Sequence, residues 1–118
     1  MKKLILALLI SISFNVFGQD ITGTGWLFYE DDGDETIILF ESDKTFTYLN
    51  VVQASGNEGK VYNDDRDTWT IDGNKVVISY NLGYMLVSLT LNNKGDSMSG
   101  TSINVKGLVD RVTGKLIK

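Results

Sequence analysis

From residue 20 onward the chain has the polarity pattern of β-structure. Thr, Val, Ile, Tyr, Phe and Trp recur in short runs where apolar and polar positions alternate, and Gly/Asn/Asp clusters interrupt them about every 8–12 residues. The spacing predicts strands over 25–29, 36–41, 45–52, 60–62, 68–71, 75–80, 84–92, 97–105 and 108–117. In 84–92, Met85, Val87, Leu89 and Leu91 share one side and Ser88 and Thr90 the other; in 75–80, Val76, Ile78 and Tyr80 fall together. Each strand therefore has one face to bury and one to wet.

The connectors carry turn chemistry. Asp72-Gly73-Asn74 and Asn93-Lys94-Gly95-Asp96 offer glycine where a hairpin needs positive φ, and Ser42-Asp43-Lys44 and Asn81-Leu82-Gly83 suit tight hairpins. Consecutive hairpins make an all-β, antiparallel, up-and-down meander. Closing about eight strands into a small barrel removes exposed edges and leaves an interior wide enough for side chains or one small ligand. The one long polar connection, 53–59, is expected to be mobile. No internal repeat or further domain boundary interrupts 19–118.

Residues 1–18 follow a different rule. Met1-Lys2-Lys3 is positive, 4–17 is apolar apart from Ser11, Ser13 and Asn15, and Val16 and Gly18 stand at −3 and −1 of a cleavage point before Gln19. This is the pattern of a secretory signal peptide, and about 14 residues is short for the alternative, a membrane-spanning anchor. The expected mature domain, 19–118, is periplasmic or secreted and has no membrane anchor after cleavage. Losing Lys2 and Lys3 leaves nine Lys+Arg against 15 Asp+Glu, so the net charge moves from −4 to −6. Nucleic acid is therefore an unexpected partner.

Composition narrows the chemistry. Among 118 residues there is no His, no Cys and no Pro. Imidazole bases, thiolates, disulfides and cysteine zinc sites are all excluded. The remaining catalytic route is a pair of carboxyl groups, for which Glu41 and Asp67 are candidates, but each Asp and Glu is expected at a strand end or turn without the burial that raises a pKa. Catalysis is not expected, and the Ser and Thr residues of 97–102 read as an outward strand face. Two acidic clusters, 31–35 and 64–67, offer oxygen-rich loops of the kind Ca²⁺ prefers, but they lack the alternating spacing of a helical Ca²⁺ loop and read as solvated turns. No metal or other cofactor is expected.

Trp26, Tyr48, Trp69, Tyr80 and Tyr84 combine an apolar body with a polar handle, which suits the lining of a barrel mouth; the competing role is core filler. Trp26 is structural in both cases, leaving Tyr48, Trp69, Tyr80 and Tyr84 as the candidate ligand-binding set.

In order along the chain, Gly23-Thr24-Gly25-Trp26, Leu39-Phe40-Glu41-Ser42-Asp43-Lys44-Thr45-Phe46, the stretch from Asp67 to Val76, Tyr84-Met85-Leu86-Val87-Ser88-Leu89 and Met98-Ser99-Gly100-Thr101 resemble small exported lipocalin-like domains of the calycin type, common in Gram-negative Bacteroides-like bacteria. The resemblance implies a barrel able to bind an apolar small molecule. It also implies a Trp on the first strand closing one end, matched by Trp26, with a basic residue of the last strand packed across it, matched by Arg111. The expectation is an exported, non-enzymatic binding module for a small apolar or amphipathic ligand; the alternative is a structural or protein-interaction domain with a filled core.

Overall fold

The computed structural model describes residues 20–53, 56, 58–80 and 83–118. The signal-peptide expectation for 1–18, part of the 53–59 connection and two residues of the 81–83 turn lie outside the described residues. Eight strands follow one another: β1 (Gly25–Glu30), β2 (Glu35–Phe40), β3 (Thr45–Val52), β4 (Val61–Asp72), β5 (Lys75–Tyr80), β6 (Met85–Leu91), β7 (Ser97–Asn104) and β8 (Val109–Leu116). Each pairs antiparallel with its neighbours in sequence, and β1 closes the ring on β8 with Trp26 opposite Leu116 and Glu30 opposite Val112. The meander and closed barrel are as the polarity pattern predicts.

The difference lies in β4. The stretches 60–62 and 68–71, expected as two strands, belong to a single strand, and the acidic run between them is a bulge inside it. Thr47 faces Asn63 and Thr45 faces Thr68, so a short step along β3 is matched by a much longer one along β4. A bulge of this kind leaves residues without ladder partners and bends the strand. Local bonds hold it: Arg66 donates to Asp64 from its backbone N (2.9 Å), Nε (3.1 Å) and Nη2 (3.0 Å).

The turns divide the barrel into two ends. The β2–β3, β4–β5 and β6–β7 turns gather at one end with the start of β1 and the close of β8, and the other four turns gather opposite. The first end is closed by packing. Trp26, Phe40, Phe46, Trp69, Leu91 and Met98 are almost wholly buried there, and Ile21, just ahead of β1, is buried with them. The segment is held down by backbone bonds from Gly23 N to Phe40 O (2.7 Å) and from Phe40 N to Thr24 O (3.0 Å). Aromatic rings run across this floor in succession, Trp26 against Phe28 (6.5 Å), Phe28 against Phe40 (6.5 Å) and Phe40 against Trp69 (5.2 Å). Two glycines make room for the wall: a Cβ at Gly114 would lie 2.5 Å from the Phe28 ring, and one at Gly100 would lie 1.8 Å from the backbone oxygen of Ser88.

Candidate functional site

The inward set of each strand changes character along its length. On β1, Trp26, Phe28 and Glu30 share the interior face, and on β2 Phe40, Ile38 and Thr36 follow the same progression from floor to mouth. On β3 the series is Phe46, Tyr48, Asn50, and on β5 it is Val76, Ile78, Tyr80. Apolar residues fill the closed half, and carboxyl, hydroxyl and amide groups arrive together at the open end.

The resulting interior is a narrow shaft under a wide mouth. The shaft, bounded by Phe28, Ile38, Phe46, Ile78, Val87 and Val112, retains a void of only about 20 Å³, room for about one water. Above it opens a cleft of about 710 Å³. Glu30, Thr36, Tyr48 and Tyr80 line both, so they form the throat where apolar wall gives way to polar. A third groove of about 440 Å³ runs outward from Glu30 past Ser102 and Asp110.

Glu30 is the most perturbed acid of the throat. Burial, followed by the charges of Asp32, Asp34 and Asp110, pushes its carboxyl up to about 7. Carboxylate oxygens of Glu30, Asp32 and Asp110 lie within 4.8 Å of one another. Such crowding is relieved when Glu30 keeps its proton. The two tyrosines respond in the same sense: burial, with the nearby Asp67 charge, pushes Tyr48 up to about 12, and burial with the Glu30 charge raises Tyr80 further. Both are neutral hydroxyls at the throat. Tyr48 stacks on Tyr62 (4.9 Å) and meets Tyr80 at 5.7 Å, so three rings form a continuous aromatic wall.

The structure separates the predicted site residues. Tyr48, Tyr80 and Tyr84 line the mouth as expected. Trp69 does not: it is fully buried in the floor, where Nε1 donates to Glu41 O (3.2 Å) and the Lys44 ammonium sits 4.2 Å above its ring. Its position on β4 beyond the bulge places it beside Phe40, away from the cleft. Trp26 closes the barrel, its Nε1 donating to Thr24 Oγ1 (2.8 Å). Arg111 is not its partner. It stands opposite Thr101 near the open end, its side chain 82% exposed and paired with Asp31 at 3.1 Å. Period two on β8 turns Val112 inward and Arg111 outward, so the guanidinium lies on the outer face of the barrel and not across Trp26.

Glu41 and Asp67 also have separate roles. Glu41 accepts from Thr47 Oγ1 and from Asn63 Nδ2 (3.1 Å), outside the throat. Asp67 is 3% exposed and lines the cleft, contrary to the expectation that the acidic run is a turn. Ser102, expected outward, is buried, because it shares the inward face of β7 with Met98. Glu30 was the acid that strand-end logic placed in solvent. Counting by twos from Trp26 through Phe28 is the signal that puts it inside.

No protein-family model matches this chain, and no curated protein matches it. Among solved structures the chain is similar to a crystal structure from Burkholderia vietnamiensis described as "a putative beta-lactamase", with a TM-score of 0.59 and 12% identity over 84% of this chain and 95% of that one. At that identity the likeness shows a shared barrel fold and nothing of activity. The closed eight-stranded barrel is consistent with the calycin-type architecture that the sequence motifs resemble.

Proposed function

We propose that this chain is a non-enzymatic binding module whose open barrel end takes one small molecule. The observation that carries the reading is the division of the interior into a packed floor and a cleft of about 710 Å³ that meet at Glu30, Thr36, Tyr48 and Tyr80. A ligand seated there has its apolar part against the aromatic wall and the throat, and its polar part among the hydroxyl and carboxyl groups of the mouth. The shallow floor favours a compact ligand over a long chain. Export belongs to the same proposal and rests on the pattern of residues 1–18; mass spectrometry of the protein from its own host tests it, with Gln19 as the expected first residue and an intact Met1 as the contrary result.

Ligand capture is tested by native mass spectrometry and proton-detected NMR of protein purified from its host. A co-purifying small molecule whose release shifts the Tyr48 and Tyr80 resonances supports the reading, and an interior unresponsive to a fragment library counts against it. The non-enzymatic part has its own test. Acyl transfer needs an activated nucleophile; the sequence holds neither His nor Cys, and the described residues that line the throat and cleft include neither a Ser nor a Lys to activate it. A chromogenic β-lactam is expected to remain intact, and hydrolysis abolished by Glu30→Gln would overturn this part. The protein-interaction alternative draws on an outer column in which Leu86 faces Ile103 and Ile103 faces Val109, all exposed. Sedimentation of the purified protein as a stable oligomer that Ile103→Lys disperses would favour it.

A further inference from the structure

We propose that the open end of the barrel is a site for a compact organic cation: an ammonium group on a short apolar or aromatic body. This rests on the binding reading above and narrows its ligand. Among the described residues lining the cleft, Glu30, Asp34, Asp64 and Asp67 are acids and none is Lys or Arg. Arg66 reaches Asp64 from outside the lining, and setting that pair aside still leaves an acidic mouth. A cleft with low-dielectric walls and charge of one sign concentrates ions of the other sign.

The aromatic wall is an independent reason. Tyr62, Tyr48 and Tyr80 stand in a row with centroids 4.9 and 5.7 Å apart. Tyr62 and Tyr48 are stacked, so the faces between them are covered; a ring face left open to the cleft attracts cations, most strongly where water is partly excluded, and the ring bodies cover an apolar substituent. Size is the third constraint. The shaft below the throat has a void of only about 20 Å³, so a long alkyl tail has nowhere to go. A bare divalent ion fits the lining poorly, because its walls are aromatic and apolar as well as oxygen-bearing. The convergent trio Glu30, Asp32 and Asp110 includes two residues outside the cleft lining.

The test compares probes of matched shape and different charge. The purified protein is titrated at low salt with 2-phenylethylamine, benzyltrimethylammonium, neutral 2-phenylethanol and anionic 3-phenylpropanoate, following NMR shifts and heat, with CaCl₂ as a separate arm. Both cations are expected to bind about tenfold more tightly than the alcohol, the carboxylate least of all, and added salt is expected to weaken the cations alone. Asp34→Asn and Tyr62→Leu, checked for an intact barrel by circular dichroism, are each expected to lower cation affinity severalfold and to spare the alcohol. Equal binding of cation and alcohol overturns the cation inference and leaves the binding reading standing. Binding of none of the four organic probes overturns both. Calcium that binds and displaces the amines reassigns the mouth to a metal.

Discussion

Glu30 concentrates the consequences of this architecture in one side chain. Its carboxyl lies at about 7 in the fold against an ordinary 4.5, chiefly from burial and then from Asp32, Asp34 and Asp110; Tyr48 and Tyr80, which also face it, titrate far above this range. A group whose folded-state value is raised holds its proton more tightly in the native state. Its stability increment is therefore complete below about 4.5 and is lost as pH rises through about 7. Between pH 5 and 8 the melting temperature is expected to fall, and Glu30→Gln is expected to flatten that slope and stabilise the protein at pH 8. With the solvent that still reaches the carboxyl, the effect is about 1 kcal/mol, or about 4–8 °C in Tm by calorimetry. The two wall glycines supply a second residue-scale expectation. Gly114→Ala presses on a ring that can shift, whereas Gly100→Ala presses on the Ser88 backbone. Chemical denaturation is expected to rank Gly100→Ala as the more damaging, with costs of about 1–3 kcal/mol for Gly114→Ala and more for Gly100→Ala.

At the scale of elements, period-two alternation sufficed wherever both strands of a pair run in uniform register. The core sets Met85-Val87-Leu89-Leu91 and Val76-Ile78-Tyr80 point inward as the pattern requires, and Gly73 and Gly95 take the positive φ that their turns need. Alternation fails in β4 because a bulge changes which residues count as alternate. Asp64 to Asp67 carry turn-type residues within a strand, and only the pairing of the residues on either side with β3, Asn63 with Thr47 and Thr68 with Thr45, shows that the chain continues through them. Their amides are expected to exchange with deuterium much faster than those of Thr68 to Ile71, which are paired with β5. Protection uniform across β4 in an exchange experiment would contradict the bulge.

For the whole molecule the decisive contact is the one between the first and last strands. Gly25 N donates to Lys118 O (3.2 Å), and Leu27 faces Lys115. Removing residues 115–118 is expected to open this seam at the closed end, expose Trp26 and lower Tm by more than about 10 °C, as measured by circular dichroism and tryptophan fluorescence. A truncated chain that melts like the intact one would show that the floor packing alone holds the ring. The fold class, the order of hairpins and most of the core were legible in the sequence, because alternation and turn chemistry act between near neighbours. The throat was not. Tyr48 and Tyr80 were recognisable as mouth residues, but Trp69 was misplaced with them, Arg111 was paired with the wrong end, and Glu30 was left in solvent. Each depends on registers that bring β1, β3, β4, β5 and β8 to a common depth, and no local pattern encodes that depth. Composition and local alternation specify an acidic, cysteine-free, antiparallel barrel; closure of the ring is what brings Glu30 into a low-dielectric throat with Tyr48 and Tyr80, because burial and charge crowding are properties of distance in space.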